Sequence, residues 1–529
     1  MSAVDKCPQK MRKYRNIKPK NTGFTVKIKG IFNLKRTDTM KSIKYVGTRN
    51  KNITATASQA ILKGICEDGG LFIPEEFPVL DKSLEELLNL DYRQLAYEIL
   101  KLYLTDFTEE ELKYCINGAY DSKFDTPEIA PVVKKGDVCI LELFHGRTIA
   151  FKDMALSILP YFMKTAAKKN GIDKEIVILT ATSGDTGKAA LEGFANVEGI
   201  KIIVFFPEDG VSPVQKLQMT TQEGKNTCVV GIKGNFDDAQ SAVKSIFTDA
   251  ALGKELDEHG FIFSSANSIN IGRLVPQVVY YFWAYFKMVH MGEIKLGDEI
   301  NVTVPTGNFG NILAGYFAKK MGLPVKTFVC ASNENKVLYD FFTTGTYDKN
   351  RPFNVTTSPS MDILISSNLE RLLCMAGGQE KTKTLMESLN KDGKYTLDLT
   401  KGDIKGEYAT EEETAEAIKE MYEKNGYVLD THTAVAYASY EKYKVQTGDN
   451  TPAVIVSTAS PYKFTKDVLC AIDKKYKQKD FFGLMGELEQ LSGVSIPAPI
   501  KGIESRPILH NTVIEKDNIK NFVKNYLVK

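Results

Sequence analysis

One lysine, Lys152, lies among apolar neighbours in the string His-Gly-Arg-Thr-Ile-Ala-Phe-Lys-Asp at 145–153, just after a β-like run at 138–143. Burying an ammonium group is unfavourable unless the group is neutralised or paired. A lysine that loses its proton, or that is held in an imine, has a chemical reason to occupy such a place. Lys152 is therefore a candidate catalytic amine. The alternative is a lysine at a helix start whose stem reaches along apolar surface to solvent.

Two glycine-rich turns each follow a β-like run and precede a helical pattern: Ser-Gly-Asp-Thr-Gly at 183–187 and Gly-Asn-Phe-Gly-Asn at 307–311. Backbone N–H groups at such a helix start bind anions, and the helix dipole favours negative charge. Small hydroxyls with free amides suit a carboxylate in the first turn, and bare backbone suits a phosphate in the second. For either turn alone, a purely structural role is the alternative.

Common nucleotide-binding motifs do not explain these turns. Ala189 stands where a Walker A loop after Gly187-Lys188 requires Ser or Thr, and no Gly-x-Gly-x-x-Gly string opens a helix elsewhere. The sequence therefore gives little support to a P-loop or a dinucleotide-binding fold.

The same three segments resemble the motifs of threonine synthases, pyridoxal-phosphate enzymes of the tryptophan-synthase-β class. In that family the lysine of His-Gly-Pro-Thr-x-Ala-Phe-Lys-Asp forms the Schiff base with the cofactor, and the resemblance implies this role for Lys152. The loop 183–187 is similar to loops that receive the amino-acid carboxylate in related enzymes. The resemblance thus implies carboxylate binding by Ser183, Gly184, Asp185, Thr186 and Gly187, and cofactor-phosphate binding by Gly307, Asn308, Phe309, Gly310 and Asn311.

The resemblance runs from residue 44 to about residue 466, and includes strings at 45–50, 67–74, 267–273 and 358–363. The string Ser-Thr-Ala-Ser-Pro-Tyr-Lys-Phe at 457–464 looks like the family's Thr-Ala-His-Pro-x-Lys-Phe, which implies that Thr458 meets the pyridine nitrogen. Four positions depart from the family pattern: Gly47, Asn50, Arg147 in place of proline, and Ser460 in place of histidine.

The implied reaction converts O-phospho-L-homoserine and water to L-threonine and phosphate, the last step of threonine biosynthesis, which would make the chain a carbon–oxygen lyase. We expect Asn267, Arg273 and Arg49 to bind the substrate. The two arginines are candidates for its phosphate, because a planar guanidinium matches phosphate oxygens. A surface arginine is the alternative for each. Rival hypotheses are another pyridoxal-phosphate β/γ-elimination enzyme, such as a dehydratase or phospho-lyase, and a degenerate, non-catalytic ligand-binding relative.

Strand, loop and helix patterns alternate from residue 138 onward, which predicts α/β architecture with mainly parallel sheets. The resemblance implies pyridoxal-phosphate fold type II, with two open, twisted α/β domains, the cofactor in the cleft between them, and a small helical N-terminal domain. The predicted divisions are a basic extension at 1–39, the helical domain at 40–130, an α/β domain with Lys152 and the carboxylate loop at 131–290, and an α/β domain with the phosphate loop at 291–529.

The extension at 1–39 carries eleven basic residues and only two acidic ones. It is expected to be a disordered or artefactual extension, and the string from Met40 looks like a natural start. A transit peptide or a nucleic-acid-binding arm are alternatives.

Composition bounds the remaining function classes. The chain is 43% hydrophobic and 25% charged, with a formal net charge of +2, which argues against a general nucleic-acid binder. Eight cysteines without a Cys-x-x-Cys pair favour reduced thiols and a cytoplasmic location. The five histidines show no metal-ligand spacing. The apolar stretch at 274–291 contains Pro276, Lys287 and His290 and is expected to be a buried or amphipathic helix. We therefore expect a small-molecule substrate, neither nucleic acid nor membrane as partner, no metal, and a monomer or small homo-oligomer.

Overall fold

The structure is a computed structural model and describes residues 42–528, apart from residues 183, 210 and 248. The predicted extension at 1–39 and the predicted site residue Ser183 lie outside the described residues.

The first part is a small, mostly helical unit. Its elements are β1 (Tyr45–Gly47), β2 (Thr54–Ala55), α1 (Ala57–Lys63), β3 (Phe72–Pro74), α2 (Leu84–Leu87), α3 (Tyr92–Tyr103) and α4 (Glu109–Ala119). Each of the four helices starts with a capping box, whose side chains satisfy backbone groups that a helix end leaves free. Leu95 and Ile99 on α3 are fully buried, as their helical spacing predicts. The helical N-terminal region of the predicted fold class is confirmed.

The next part alternates strands and helices. Its elements are β4 (Val132–Lys135), β5 (Val138–Glu142), α5 (Asp153–Leu156), α6 (Leu159–Lys169), β6 (Glu175–Ala181), α7 (Asp185–Phe194), β7 (Ile200–Pro207), α8 (Pro213–Thr220), β8 (Thr227–Lys233), α9 (Phe236–Phe247), α10 (Ala250–Glu258), β9 (Phe261–Ser264), α11 (Ile271–Leu274) and α12 (Pro276–His290). Strands β6 and β7 are buried over most of their length, as expected for parallel strands covered on both faces.

The last part repeats the alternation. Its elements are β10 (Ile300–Pro305), α13 (Gly310–Lys320), β11 (Val325–Ser332), α14 (Val337–Thr344), β12 (Thr346–Asp348), α15 (Leu369–Asp392, kinked at Gly378), β13 (Lys394–Thr396), β14 (Ile404–Tyr408), α16 (Glu411–Asn425), α17 (Thr431–Thr447), β15 (Ala453–Ser457), α18 (Thr465–Ile472), α19 (Phe481–Ser492), β16 (Thr512–Glu515) and α20 (Ile519–Leu527). A 3₁₀ turn, Pro461–Phe464, follows β15.

Two large sheets organise these elements. The five-stranded sheet has the order β16-β8-β7-β6-β9, and all its described pairings are parallel. The six-stranded sheet has the order β14-β11-β10-β15-β5-β4 and is parallel except for the β4–β5 pair. The predicted α/β class with mainly parallel sheets is confirmed.

Sheet membership does not follow the predicted domain boundaries. Strands β4 and β5, from the segment predicted to form the first α/β domain, pair within the six-stranded sheet, whereas β16 near the C-terminus pairs with β8 in the five-stranded one. Periodicity identifies a strand but not the sheet that it joins. The consequence for the site is direct, because β10, β15 and β5 are neighbours and their carboxyl ends meet at one edge.

The apolar stretch at 274–291 forms the end of α11 and the whole of α12, and most of its residues are buried in the core. No helix among the described residues has the length and apolar character needed to cross a membrane.

Candidate active site

The segment before Lys152 is fastened to the segment after β15. Leu143 N–H donates to the Ser457 carbonyl at 3.0 Å, and Phe151 N–H donates to the Thr458 carbonyl at 2.8 Å. Ala150 forms an antiparallel bridge with Ala459, the residue that follows Thr458. These backbone bonds bring the predicted residues Lys152 and Thr458 to the same edge of the six-stranded sheet.

A compact turn presents Lys152. Thr148 donates to the Asp153 carboxylate from its backbone N–H at 2.8 Å and from its hydroxyl at 2.6 Å. A Cβ at Gly146 would lie 2.4 Å from Asp153 Oδ2, so this close approach requires glycine. Arg147 leaves the turn and pairs with Glu192 on α7 at 3.0 Å. The motif's Gly, Thr and Asp therefore close the turn without the family's proline.

The other departures from the family pattern are accommodated locally. A Cβ at Gly47 would lie 2.9 Å from the Asn50 carbonyl oxygen, so the two departures belong to one tight turn. The Ser460 hydroxyl accepts from the Tyr462 N–H at 3.3 Å and caps the 3₁₀ turn Pro461–Phe464.

Lys152 itself is mostly but not fully buried, with 11% of its side chain exposed. Its ammonium lies 3.5 Å from Asp185 Oδ2 and 3.5 Å from the Ser360 hydroxyl. Burial, followed by the positive charges of Lys463 and Arg273, lowers the pKa of Lys152, although Asp185 acts in the opposite direction. A lysine with this environment exchanges protons more readily near neutral pH than an exposed one.

The loop at 182–187 is closed by its own strand end. Thr182 Oγ1 accepts from the Gly184 and Gly187 N–H groups, both at 2.9 Å. Gly184 has φ 134°, and a Cβ there would lie 2.5 Å from Gln215. Asp185 starts α7 and points at Lys152, whereas no contact of the Thr186 side chain defines a role for it. The structure brings Asp185 to Lys152, and carboxylate binding by this loop stays a prediction.

The loop at 307–311 lies between β10 and the start of α13. Its carbonyl groups are held by the 366–368 segment: Ser366 Oγ donates to the Gly307 carbonyl at 2.6 Å and Asn368 Nδ2 to the Asn308 carbonyl at 2.9 Å. Phe309 adopts a left-handed conformation, φ 64°, at the helix start. Asn311 Oδ1 accepts from Tyr280 and Tyr281, while none of the described residues partners its buried Nδ2.

The two candidate arginines differ in what they already bind. Arg49 forms a two-point pair with Glu370, from Nε at 2.9 Å and from Nη2 at 2.7 Å. Arg273 is 3% exposed and donates from Nη1 to the Ala266 carbonyl at 2.9 Å, but within the described part of the chain its buried Nε has no partner. Burial lowers the pKa of Arg273 to about 10. Arg273 is therefore the better-prepared anion ligand. Asn267 is half-buried and its carbonyl accepts from Asn270 N–H at 3.1 Å.

Sequence reasoning did not assign Lys463, Ser360 or Gln215 to the site. Lys463 is fully buried and lies 2.7 Å from Asp185 Oδ1, which also accepts from Gln215 Nε2 at 2.9 Å. Ser360 reaches Asp185 Oδ2 at 3.3 Å, and its N–H donates to His432 Nε2 at 3.1 Å. The sequence pattern that could have identified Lys463 is a lysine next to aromatic and apolar residues, the same pattern that singles out Lys152.

His145 makes pH-dependent contacts with two carboxylates near the turn that carries Lys152. Its Nδ1 lies 2.6 Å from Asp125 and its Nε2 2.9 Å from Glu142. Burial opposes protonation, but hydrogen bonds to the two carboxylates outweigh it and raise the pKa of His145 from 6.5 to about 9. The stabilisation is therefore fully present below the unfolded-state pKa of about 6.5 and is lost as the pH rises through 9.

We expect the free energy of unfolding to fall by about 1–3 kcal/mol between pH 6.5 and pH 9.5 through this residue. Urea unfolding at several pH values measures the effect. His145→Gln should lose most of that slope, whereas the control His259→Gln, at an exposed histidine, should keep it. Equal slopes in the two variants would contradict the assignment.

Comparison with known proteins agrees with this geometry. The family model described as pyridoxal-phosphate dependent enzyme matches residues 127–459, and the models for the threonine synthase N terminus and C-terminal region match 44–120 and 433–523. A threonine synthase of Schizosaccharomyces pombe is 37% identical over 468 residues, covering 81% of this chain and 89% of that protein. Threonine synthase-like 1 of Macaca fascicularis is 40% identical over 437 residues, covering 79% of this chain. The chain spans only 58% of the length of that relative.

A solved structure gives the same result. The crystal structure of pyridoxal-phosphate-bound threonine synthase from Brucella melitensis superposes with a TM-score of 0.79 at 34% identity, over 92% of this chain and 99% of that one. The predicted fold type and the predicted cofactor, pyridoxal 5'-phosphate, are thereby confirmed at the level of the family. By sequence, by fold and by the lysine turn, the chain belongs to the threonine synthase family of pyridoxal-phosphate-dependent enzymes.

Proposed function

We propose that the chain is a threonine synthase, which converts O-phospho-L-homoserine and water to L-threonine and phosphate with pyridoxal 5'-phosphate held at Lys152. One observation carries the proposal. The pKa of Lys152, a mostly buried lysine, is lowered by burial and by the nearby charge of Arg273, whose buried Nε has no partner among the described residues. An amine for the cofactor and a cation for a phosphate leaving group are the two charges that this reaction requires.

The residues present fit the cofactor. The start of α13 supplies backbone amides. In the first turn of α13, the buried Nδ2 of Asn311 is a hydrogen-bond donor that has no acceptor among the described residues. Gly307, Asn308, Phe309, Gly310 and Asn311 would hold the phosphate, Lys152 would hold the aldehyde carbon, and Thr458 would bind the pyridine nitrogen. When bound, pyridoxal phosphate acts as an electron sink for carbanions formed on the substrate.

The chain's own residues account for proton transfer and charge. The pKa of Lys152 is lowered first by burial, so its Nζ can be neutral when it is free and take the proton from the substrate α-carbon. Arg273, fixed by the Ala266 carbonyl, holds the substrate phosphate and stabilises its departure as an anion. A neutral hydroxyl partner at Thr458 leaves the pyridine less protonated than a carboxylate would, which favours elimination and replacement.

Thr458→Ala should lower kcat by about 10-fold to 100-fold, the effect of losing one hydrogen bond worth roughly 1–3 kcal/mol. The fold should survive, because the Thr458 backbone carbonyl still accepts from Phe151 N–H. Steady-state kinetics checks this, with Thr458→Ser as the matched variant that keeps the hydroxyl. An unchanged kcat in Thr458→Ala would remove this residue from the site.

Arg273→Ala should lower kcat/KM for O-phosphohomoserine by about 10-fold to 200-fold, because charge-assisted hydrogen bonds to phosphate are worth roughly 1.5–3 kcal/mol. Cofactor affinity should change much less. Kinetics and cofactor titration on the same preparation separate the two effects, and Arg273→Lys tests charge without the planar fork. A normal kcat/KM in Arg273→Ala would show that Arg273 has only a structural role, and Arg49 would then be the next candidate for the phosphate.

The test of the function itself is product analysis. Purified protein with pyridoxal phosphate and O-phosphohomoserine should release threonine and phosphate in equal amounts. Keto acid and ammonia in place of threonine would identify a dehydratase or phospho-lyase instead. Absence of any product, with the cofactor bound, would favour the non-catalytic relative.

We also propose a cytoplasmic location and a monomer or small homo-oligomer. The seven cysteines in the described part of the chain are free thiols, which supports a reducing compartment. Cell fractionation tests the location, and light scattering of the purified protein gives the oligomeric state.

A further inference from the structure

Lys463 is the most completely enclosed cation beside the site. It has no exposed surface. Its ammonium has three acceptors, namely Asp185 Oδ1 at 2.7 Å, Gln218 Oε1 at 3.2 Å and the Thr148 carbonyl at 3.2 Å. A lysine has three N–H donors, so every one has a partner. Lys463 thus links the lysine turn, α8 and the start of α7.

Asp185 connects Lys463 to Lys152. One carboxylate oxygen faces Lys463 and Gln215, and the other faces Ser360 and Lys152. Burial raises the pKa of Asp185, but the charges of Lys463 and Lys152 outweigh burial and hold this pKa well below its usual value. The group is therefore a permanent anion at neutral pH, bridging two lysines.

The charges around Lys152 do not balance. The cations that act on it are Lys463 and Arg273, and the anion is Asp185. Asp153, next to it in the chain, has its pKa raised to about 6 by burial. Farther along α7, Lys188 and Glu192 pair with each other at 3.0 Å. Protonation of Lys152 would add a third cation, beside Lys463 and Arg273, while Asp185, 3.5 Å from Lys152, is already bound at 2.7 Å by Lys463.

We propose that Lys463 is a positioning residue that anchors the Asp185 carboxylate and, through its own positive charge, keeps the Lys152 amine neutral when that amine is free. The inference deepens the proposed function, since it rests on Lys152 being the cofactor lysine. Lys463, in the 3₁₀ turn Pro461–Phe464, thereby influences the reaction of Lys152 without reacting itself.

The test follows Lys152 directly. In the full chain freed of its cofactor, the Lys152 amine attacks the aldehyde carbon of added pyridoxal phosphate and water leaves. The rate therefore follows the neutral fraction of the amine. Absorbance measured after mixing, at a series of pH values, gives the midpoint of that rate profile. Lys463→Met should move the midpoint upward by about one pH unit or more, because a nearby positive charge is lost.

Two further variants make the result specific. Lys463→Arg restores the charge and should return the midpoint toward that of the wild type. Lys188→Met removes another buried lysine of α7, whose partners are Glu192 and Gln222, and should leave the midpoint in place. A purely structural role for Lys463 would lower the plateau rate without moving the midpoint, and would overturn the proposal.

If Lys463→Met does not fold, Asp185→Asn keeps the inference testable. Loss of the bridging anion should move the midpoint downward, and an unchanged midpoint would contradict the inference. A wild type that shows no coupling to pyridoxal phosphate overturns the inference together with the proposed function. A wild type that couples but makes no threonine contradicts the function alone, and equal midpoints in wild type and Lys463→Met contradict the inference alone.

Discussion

Lys152→Ala is expected to abolish threonine formation and covalent attachment of the cofactor, and to leave the fold intact. The amine is both the anchor of the cofactor and the proposed base, so no residual route uses the same chemistry. The fold should survive because Asp185 keeps Lys463, Gln215 and Ser360 as partners.

Borohydride reduction followed by mass mapping measures the effect. In the wild type the reduced cofactor should be found on Lys152, and in Lys152→Ala no lysine should carry it. Lys188→Ala is the matched control, because Lys188 is also buried, at 9% exposure, but pairs with Glu192 on its own helix. A label on any lysine other than Lys152 in the wild type would refute the assignment.

The local parts of the site could be predicted from sequence because short-range contacts build them. The turn that carries Lys152 is closed by Thr148 and Asp153, five residues apart. The loop at 307–311 follows a buried strand and starts a helix, as its glycine pattern predicts. In both segments, the residues that form the turn or loop are already close to one another in the sequence.

The long-range parts could not be predicted in this way. Arg49 looked as suitable for a phosphate as Arg273, yet it is paired with Glu370, which lies 321 residues away along the chain. Asp185 was expected to help bind a carboxylate, yet its own carboxylate is held by Lys463 and Gln215. Whether a charged side chain is free depends on which partner the fold brings to it, and no periodicity encodes that choice.

The same limit applies to the sheets. The β-like run at 138–143 was correctly predicted as a strand, but the place of that strand, β5, between β15 and β4 depends on pairing with a segment more than three hundred residues later. That pairing is what sets Thr458 beside Phe151 and Lys152. The neighbourhood of Lys152 is therefore a property of topology as much as of motif.

Gly307→Ala should weaken binding of pyridoxal phosphate by about 10-fold to 100-fold, the equivalent of roughly 1.4–3 kcal/mol. A Cβ at this position would lie 2.5 Å from the Ser360 carbonyl oxygen, closer than real Cβ contacts allow. The obstacle is backbone, so it cannot rotate away as a side chain would, and the loop itself must move. Movement of the loop shifts the amides of α13 from the positions that suit a phosphate.

Titration of the cofactor-free protein with pyridoxal phosphate, followed by absorbance, gives the dissociation constant. Gly253→Ala is the matched control, since an added Cβ within α10 meets nothing within 4 Å and should leave affinity unchanged. Ser360 also donates to Asp185, so displacement of the loop against Ser360 should disturb the charge network at Lys152 as well. An unchanged dissociation constant for Gly307→Ala would mean that the phosphate is bound elsewhere. It would contradict the proposed binding of the cofactor phosphate by the loop at 307–311.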